Sequence, residues 1–136
     1  MPSPPPLLGS RELVRDALCG RPARRFPIGP LAVHYCARLA GVSLRQYSTD
    51  ARTLSECVVR YWERFRPDAV WLSADTWVNA EAMGVAVCFP GEDQPVCGVG
   101  EPLVKCAADL DRIGPLDPGR HGRWPLMLEA LERIRK

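Results

Sequence analysis

The sequence has no CxxC pair, no long apolar run, no excess of charge of one sign and no internal repeat. Each absence removes a class of protein. Six cysteines are present, Cys19, Cys36, Cys57, Cys88, Cys97 and Cys106, but their wide, irregular gaps argue against a structural zinc site. No apolar stretch approaches the roughly 20 residues that cross a bilayer, so no membrane partner is expected. The 18 basic and 16 acidic residues are interspersed and leave a net charge of +2, which gives no electrostatic case for nucleic acid. Arg21, Arg24 and Arg25 are expected to form a solvated rim. The opening MPSPPPLLGS has neither a charged n-region nor a long h-region, so no secretory signal is expected and the location reads as cytoplasmic. Reduced thiols follow, each expected to be a small buried hydrophobe.

What is present is enough apolar material, 46% of 136 residues, for one ordinary core. The organising stretch is residues 68–84, DAVWLSADTWVNAEAMG. Ala69 to Leu72 is a short apolar run without alternation, which suits a strand buried on both faces. It gives way at Ser73-Ala74-Asp75 to a helical pattern starting near Val78. A helix, a buried strand and then an acidic residue at the strand's carboxyl end is the layout of an α/β barrel unit, where chemistry gathers. Asp75 is therefore the first candidate for function. The residues alone leave two readings open, a ligand anchor or a cap for the helix that follows.

Around this stretch, residues 1–9 form a proline-rich lead-in that is expected to be mobile. Ser10 can cap a short helix carrying Leu13, Val14, Ala17 and Leu18, with Gly20 after its end. Prolines make residues 26–30 an irregular or edge strand at best. A helix over about 31–40 stops at Gly41 and carries His34. The clearest helix covers about 51–66, with Asp50 as N-cap and Leu54, Cys57, Val58, Tyr61, Trp62 and Phe65 as one apolar stripe. Residues 85–89 and 96–99 read as two strands around a polar turn. A helical turn near 107–112 precedes a Pro/Gly-rich loop. Pro125 fits the first position of a last helix, whose stripe is Met127, Ala130, Leu131 and Ile134.

Two further side chains are candidates. His34 and Cys36 have a spacing that invites a metal, but on a helix positions i and i+2 point about 200° apart, so no metal site is expected. Trp77, two residues after Asp75, can wall a flat ligand or sit in the core or rim.

The segments RELVRDALCGRPARRFPIGP, AGVSLRQYSTDARTLSECVVRYWERFRPDAVWLSADTW, DTWVNAEAMGVAVCFP and GPLDPGRHGRWPLMLEAL together resemble the amino-terminal part of the uroporphyrinogen decarboxylase superfamily, which includes corrinoid-linked methyltransferases. The most specific feature is Asp75 followed nine positions later by Gly84 in an EAMG turn. The resemblance implies an α/β fold, the amino-terminal portion of a (β/α)8 TIM barrel. That portion is incomplete and helix-rich, with few parallel strands and a small hairpin excursion over residues 10–136. It also implies that Asp75 corresponds to the aspartate that faces the pyrrole N–H groups of a tetrapyrrole, with His34 and Trp77 lining the pocket.

True decarboxylases carry paired arginines after the first strand to grip substrate carboxylates as bidentate forks. Residues 31–38 lack that pattern, and Arg38 and Arg45 do not fit its spacing, so the chain resembles the methyltransferase-like or uncharacterised branch more closely. The implied chemistry is tetrapyrrole decarboxylation without a metal or corrinoid-linked methyl transfer with zinc, whose ligands are expected downstream of Lys136. The expected partners are a tetrapyrrole or corrinoid-type ligand and the remainder of the barrel or a second copy. The rival reading is a catalytically inactive truncated product or interaction module.

Overall fold

A computed structural model describes residues 9–98 and 100–135. The proline-rich lead-in, apart from Gly9, lies outside the described residues, as does Val99 in the second expected strand. Six α-helices are described: α1 (Ser10–Leu18), α2 (Val33–Ala40), α3 (Leu44–Thr49), α4 (Ala51–Phe65), α5 (Val78–Ala82) and α6 (Trp124–Arg135). Between α5 and α6 come a two-stranded antiparallel hairpin, β1 (Val87–Cys88) and β2 (Val96–Cys97), and a 3-10 turn, Ala107–Arg112.

The core is built on α4. Asp50 starts this helix by accepting the Thr53 N–H at 2.7 Å, which satisfies one of its unpaired first-turn donors. Leu54, Cys57, Val58 and Tyr61 then recur at helical spacing and are all buried. They meet Cys36 and Ala37 of α2, Tyr47 of α3, Ala74 in the loop before α5, Val78 of α5 and Ala130 of α6 in one cluster. The stripe ends one turn early. Trp62 and Phe65 are 42% and 48% exposed, because the helix outlasts the layer it packs on. Trp62 instead lies under the Arg66 guanidinium, 4.1 Å from its ring centroid. In α6 the buried row is Ala130 with Met127 and Ile134 beside it, whereas Leu131 turns outward.

Several expectations need correction. Ala69 to Leu72 is extended but joins no ladder among the described residues. Its neighbour, residues 26–30, contains Pro27 and Pro30, which supply no N–H donors. Contacts between the two segments still advance in the same direction, as in parallel neighbours. The Ile28 carbonyl accepts from Asp68 and Ala69, and the Gly29 carbonyl accepts from the Trp71 ring N–H at 2.7 Å. Trp71 remains 59% exposed. The sheet described is therefore only the antiparallel hairpin, not a parallel one. The cysteines also divide: Cys36 and Cys57 are buried, whereas Cys19, Cys88, Cys97 and Cys106 are exposed, because they sit on a helix end, a two-stranded ribbon and a loop that nothing covers. Cys88 pairs with Val96 and Cys97 with Val87, so the two hairpin thiols point to opposite faces of the ribbon.

The arginine rim is not uniformly solvated either. Arg25 grips Asp68 with a bidentate fork at 2.6 and 2.7 Å, and Asp68 also accepts from Ile28 N and Ser10 Oγ. Ser10 thus ties α1 to this knot as its first helical residue, while Gly9 takes the cap position. The Arg25 fork and the Ile28 and Ser10 bonds hold the Asp68 carboxyl well below the ordinary carboxylate range. A depressed folded-state value means that the contribution is present above the unfolded carboxylate value near pH ~4 and is lost as pH falls toward the native one. Urea unfolding at stepped pH is expected to show a shallower loss of stability below about pH 4 for Asp68→Asn than for the wild type. Identical acid limbs would show that Asp68 does not couple to folding.

Candidate functional site

Asp75 sits at the end of the extended segment, in the loop that enters α5. Its residue exposure is 5%, and its side chain is almost closed off from solvent. The Oδ1 atom accepts the Trp77 N–H at 2.8 Å, so the carboxylate does help to shape the entry to α5, although Trp77 occupies the cap position. The larger partner is Arg123, in the turn before α6. Its Nη1 donates to Asp75 Oδ2, its Nη2 donates to Oδ1 at 3.2 Å, and its Nε donates to Glu81 Oε2 at 2.6 Å. Nη1 also reaches the Ser48 carbonyl at 3.1 Å, and the guanidinium carbon stands 5.2 Å from the Phe89 ring centroid. Burial works against the charge on Arg123, but the bonds and charges of Asp75 and Glu81 outweigh it and hold the pKa above the ordinary arginine value.

The backbone makes this contact possible at Gly122. With φ at +52° and an added Cβ only 2.8 Å from the Ala82 nitrogen, the position accepts glycine alone. Gly84 ends the EAMG turn at φ +99°, again a conformation that favours glycine. Tyr47 backs the loop from below, donating its hydroxyl to the Ser73 carbonyl at 3.0 Å, and Ser48 Oγ donates to the Ala74 carbonyl at 3.2 Å.

Trp77 borders an open, mostly apolar cavity of about 570 Å³, with Met83, Val85, Leu103 and Ile113 among its walls and Glu101 at its edge. His34 lies elsewhere. It sits in the first turn of α2, meets the Tyr47 ring edge-on at 6.4 Å between centroids, and borders a different cavity, of about 650 Å³, with Arg38, Ser43 and Glu92. Its Nε2 is buried without a hydrogen-bond partner. The structure therefore joins Asp75 to Trp77 and places His34 on the far side of Tyr47. Cys36, two residues on, is buried and its thiol pKa is pushed up to about 11, chiefly by desolvation, so the thiolate needed for metal binding is disfavoured. Among the described residues no group of three or more His, Cys, Asp and Glu side chains converges as a metal would need. None of the described helices is long and apolar enough to cross a membrane.

Arg123 and Glu81 did not stand out in the sequence. A signal was available: Arg123 precedes Met127, Ala130 and Ile134 at four, seven and eleven positions, which places its charge on the buried row of α6. A charge there requires a partner.

The fold of the chain recurs in a solved structure. A methyltransferase from Methanosarcina mazei superposes with a TM-score of 0.74 at 25% identity, over 94% of this chain and 38% of that one. Residues 10–136 match the family model described as uroporphyrinogen decarboxylase (URO-D), and the chain belongs to that family. The family implies a TIM barrel, of which the described residues form a helix-rich portion with little sheet. Uroporphyrinogen decarboxylases from Vibrio cholerae serotype O1 and Photobacterium profundum are 33% and 32% identical over 87 residues. Each of those alignments covers 64% of this chain but 23% of the relative, so the match spans under a quarter of those proteins.

Proposed function

We propose that this chain is the amino-terminal part of a uroporphyrinogen decarboxylase-family barrel. Its pocket takes a tetrapyrrole or corrinoid-type ligand, and Asp75 is the polar anchor. The observation that carries this reading is the buried Asp75 carboxylate at the end of an extended segment, hydrogen-bonded to the backbone of Trp77 beside an apolar cavity. An apolar cavity walled by Trp77 suits a large flat ligand, and the Asp75 carboxylate, bonded to the Trp77 backbone behind that wall, is the acceptor proposed for its N–H donors. Of the two chemistries, corrinoid-linked methyl transfer is favoured over tetrapyrrole decarboxylation. Residues 31–38 hold no arginine fork for a polycarboxylate, and Arg38 and Arg45 are exposed. Zinc and a corrinoid would then belong to the whole protein. Among the described residues no His, Cys, Asp and Glu side chains gather as a metal site.

The second reading, an interaction module, has one observation in its favour. Phe26, Ile28, Leu31 and Trp71 leave large apolar side chains uncovered along the extended segments. In the barrel reading the same surface meets the remaining strands, and the partner is the rest of the barrel.

Titration of the protein with methylcobalamin and with uroporphyrin, followed by absorbance, tests the reading. Saturable binding of one of them is expected, weakened roughly tenfold or more by Asp75→Asn at a temperature where both proteins remain folded. No binding of either, or equal binding by the variant, would remove Asp75 from the role of anchor.

A further inference from the structure

We propose that Arg123 is a positioning residue for Asp75, fixing the direction in which that carboxylate can accept a hydrogen bond from a ligand. The functional half of this inference rests on the reading of Asp75 as the pocket anchor; the positional half does not.

An ionised carboxylate offers about four lone-pair positions. Trp77 N and Arg123 Nη2 occupy Oδ1, and Arg123 Nη1 occupies one side of Oδ2. About one acceptor position is left, on Oδ2. Rotation of the carboxylate would break the fork with Arg123. Arg123 is itself held from three further directions: Glu81 Oε2, the Ser48 carbonyl and the Phe89 ring. The three charged side chains are 2%, 10% and 24% exposed for Asp75, Arg123 and Glu81, so little water competes for these bonds. These partners come from the end of α3, from α5 and from the segment after β1. A planar guanidinium can meet all of them at once, and a lysine ammonium cannot. Position, and not charge alone, is what the residue supplies.

Exchange of the Trp77 amide reports on the orientation of Asp75, because Asp75 Oδ1 is its acceptor. The measurement is NMR hydrogen exchange at Trp77 relative to Val58, in the middle of α4, for the wild type, Arg123→Gln, Arg123→Lys and Glu81→Met. Relative exchange at Trp77 is expected to rise roughly tenfold in Arg123→Gln, to stay raised in Arg123→Lys, and to rise about threefold in Glu81→Met. A purely structural role would speed both amides together and leave the ratio unchanged, which would overturn the proposal. Full restoration by lysine would overturn it too, since charge alone would then suffice. If the Arg123 variants fail to fold, Glu81→Met decides: an unchanged ratio in that variant refutes the positioning role. Failure of the anchor reading shows separately, as ligand binding that ignores Asp75→Asn while Trp77 exchange still depends on Arg123.

Discussion

Arg123→Met is expected to lower the free energy of unfolding by roughly 3–5 kcal/mol, the usual cost of removing one partner from a buried ion pair. Without the guanidinium, Asp75 stays in a nearly closed site with only the Trp77 N–H as donor, and Glu81 loses its nearest cation. Removing the charge therefore leaves an uncompensated carboxylate, in contrast to the small effect of breaking an exposed pair such as Arg52–Glu56. For a domain of this size the melting temperature should fall by on the order of 10 °C. The double change Asp75→Leu with Arg123→Met is expected to recover most of the loss, because the buried charge and its partner then leave together. Urea unfolding of the wild type and of the two variants checks this. A single variant within about 1 kcal/mol of the wild type would mean that the pair behaves as if it were solvated.

Leu54→Ala is expected to cost roughly 2–5 kcal/mol, against about 1 kcal/mol or less for Trp62→Ala two turns along the same helix. Leu54 is fully buried where α4 meets the helices on either side, so its removal opens a cavity that the surrounding side chains can only partly close. Trp62 presents more than a third of its surface to solvent and packs mainly under Arg66. Equal losses at the two positions would contradict the burial difference along α4.

That contrast marks how far periodicity could be read. The stripe of α4, its Asp50 cap, the end of α2 at Gly41, the hairpin of β1 and β2 and the turn near 107–112 were all legible, because local spacing and capping decide them. Where the stripe stops was not, since that depends on the width of the neighbouring layer. The helix α3 was missed despite a capping box in which Ser43 Oγ accepts from Gln46 N and Gln46 Oε1 accepts from Ser43 N. Six residues are too few for an apolar period to show. The expected strand at 69–72 failed for a non-local reason, the donors missing at Pro27 and Pro30. Asp75 drew notice through its place after an apolar run, and Trp77 through its nearness to Asp75. Arg123 is separated from Asp75 by 48 residues and lies in a Pro/Gly-rich loop, so nothing local tied the two together.

The long span of the Arg123 contacts also bears on the order of events in folding. α2, α3 and α4 lie next to one another in the chain and close on short loops, whereas α6 must return across the hairpin and the long loop before it meets α4 and the Asp75 turn. Ordering that loop is expected to delay α6, so that the fork to Asp75 forms after the main barrier. Loss of Arg123 should accordingly appear as faster unfolding with a nearly unchanged folding rate, and loss of Leu54 as slower folding. The ion pair then acts as a late fastener, governing how long the native state lasts more than how quickly it is reached.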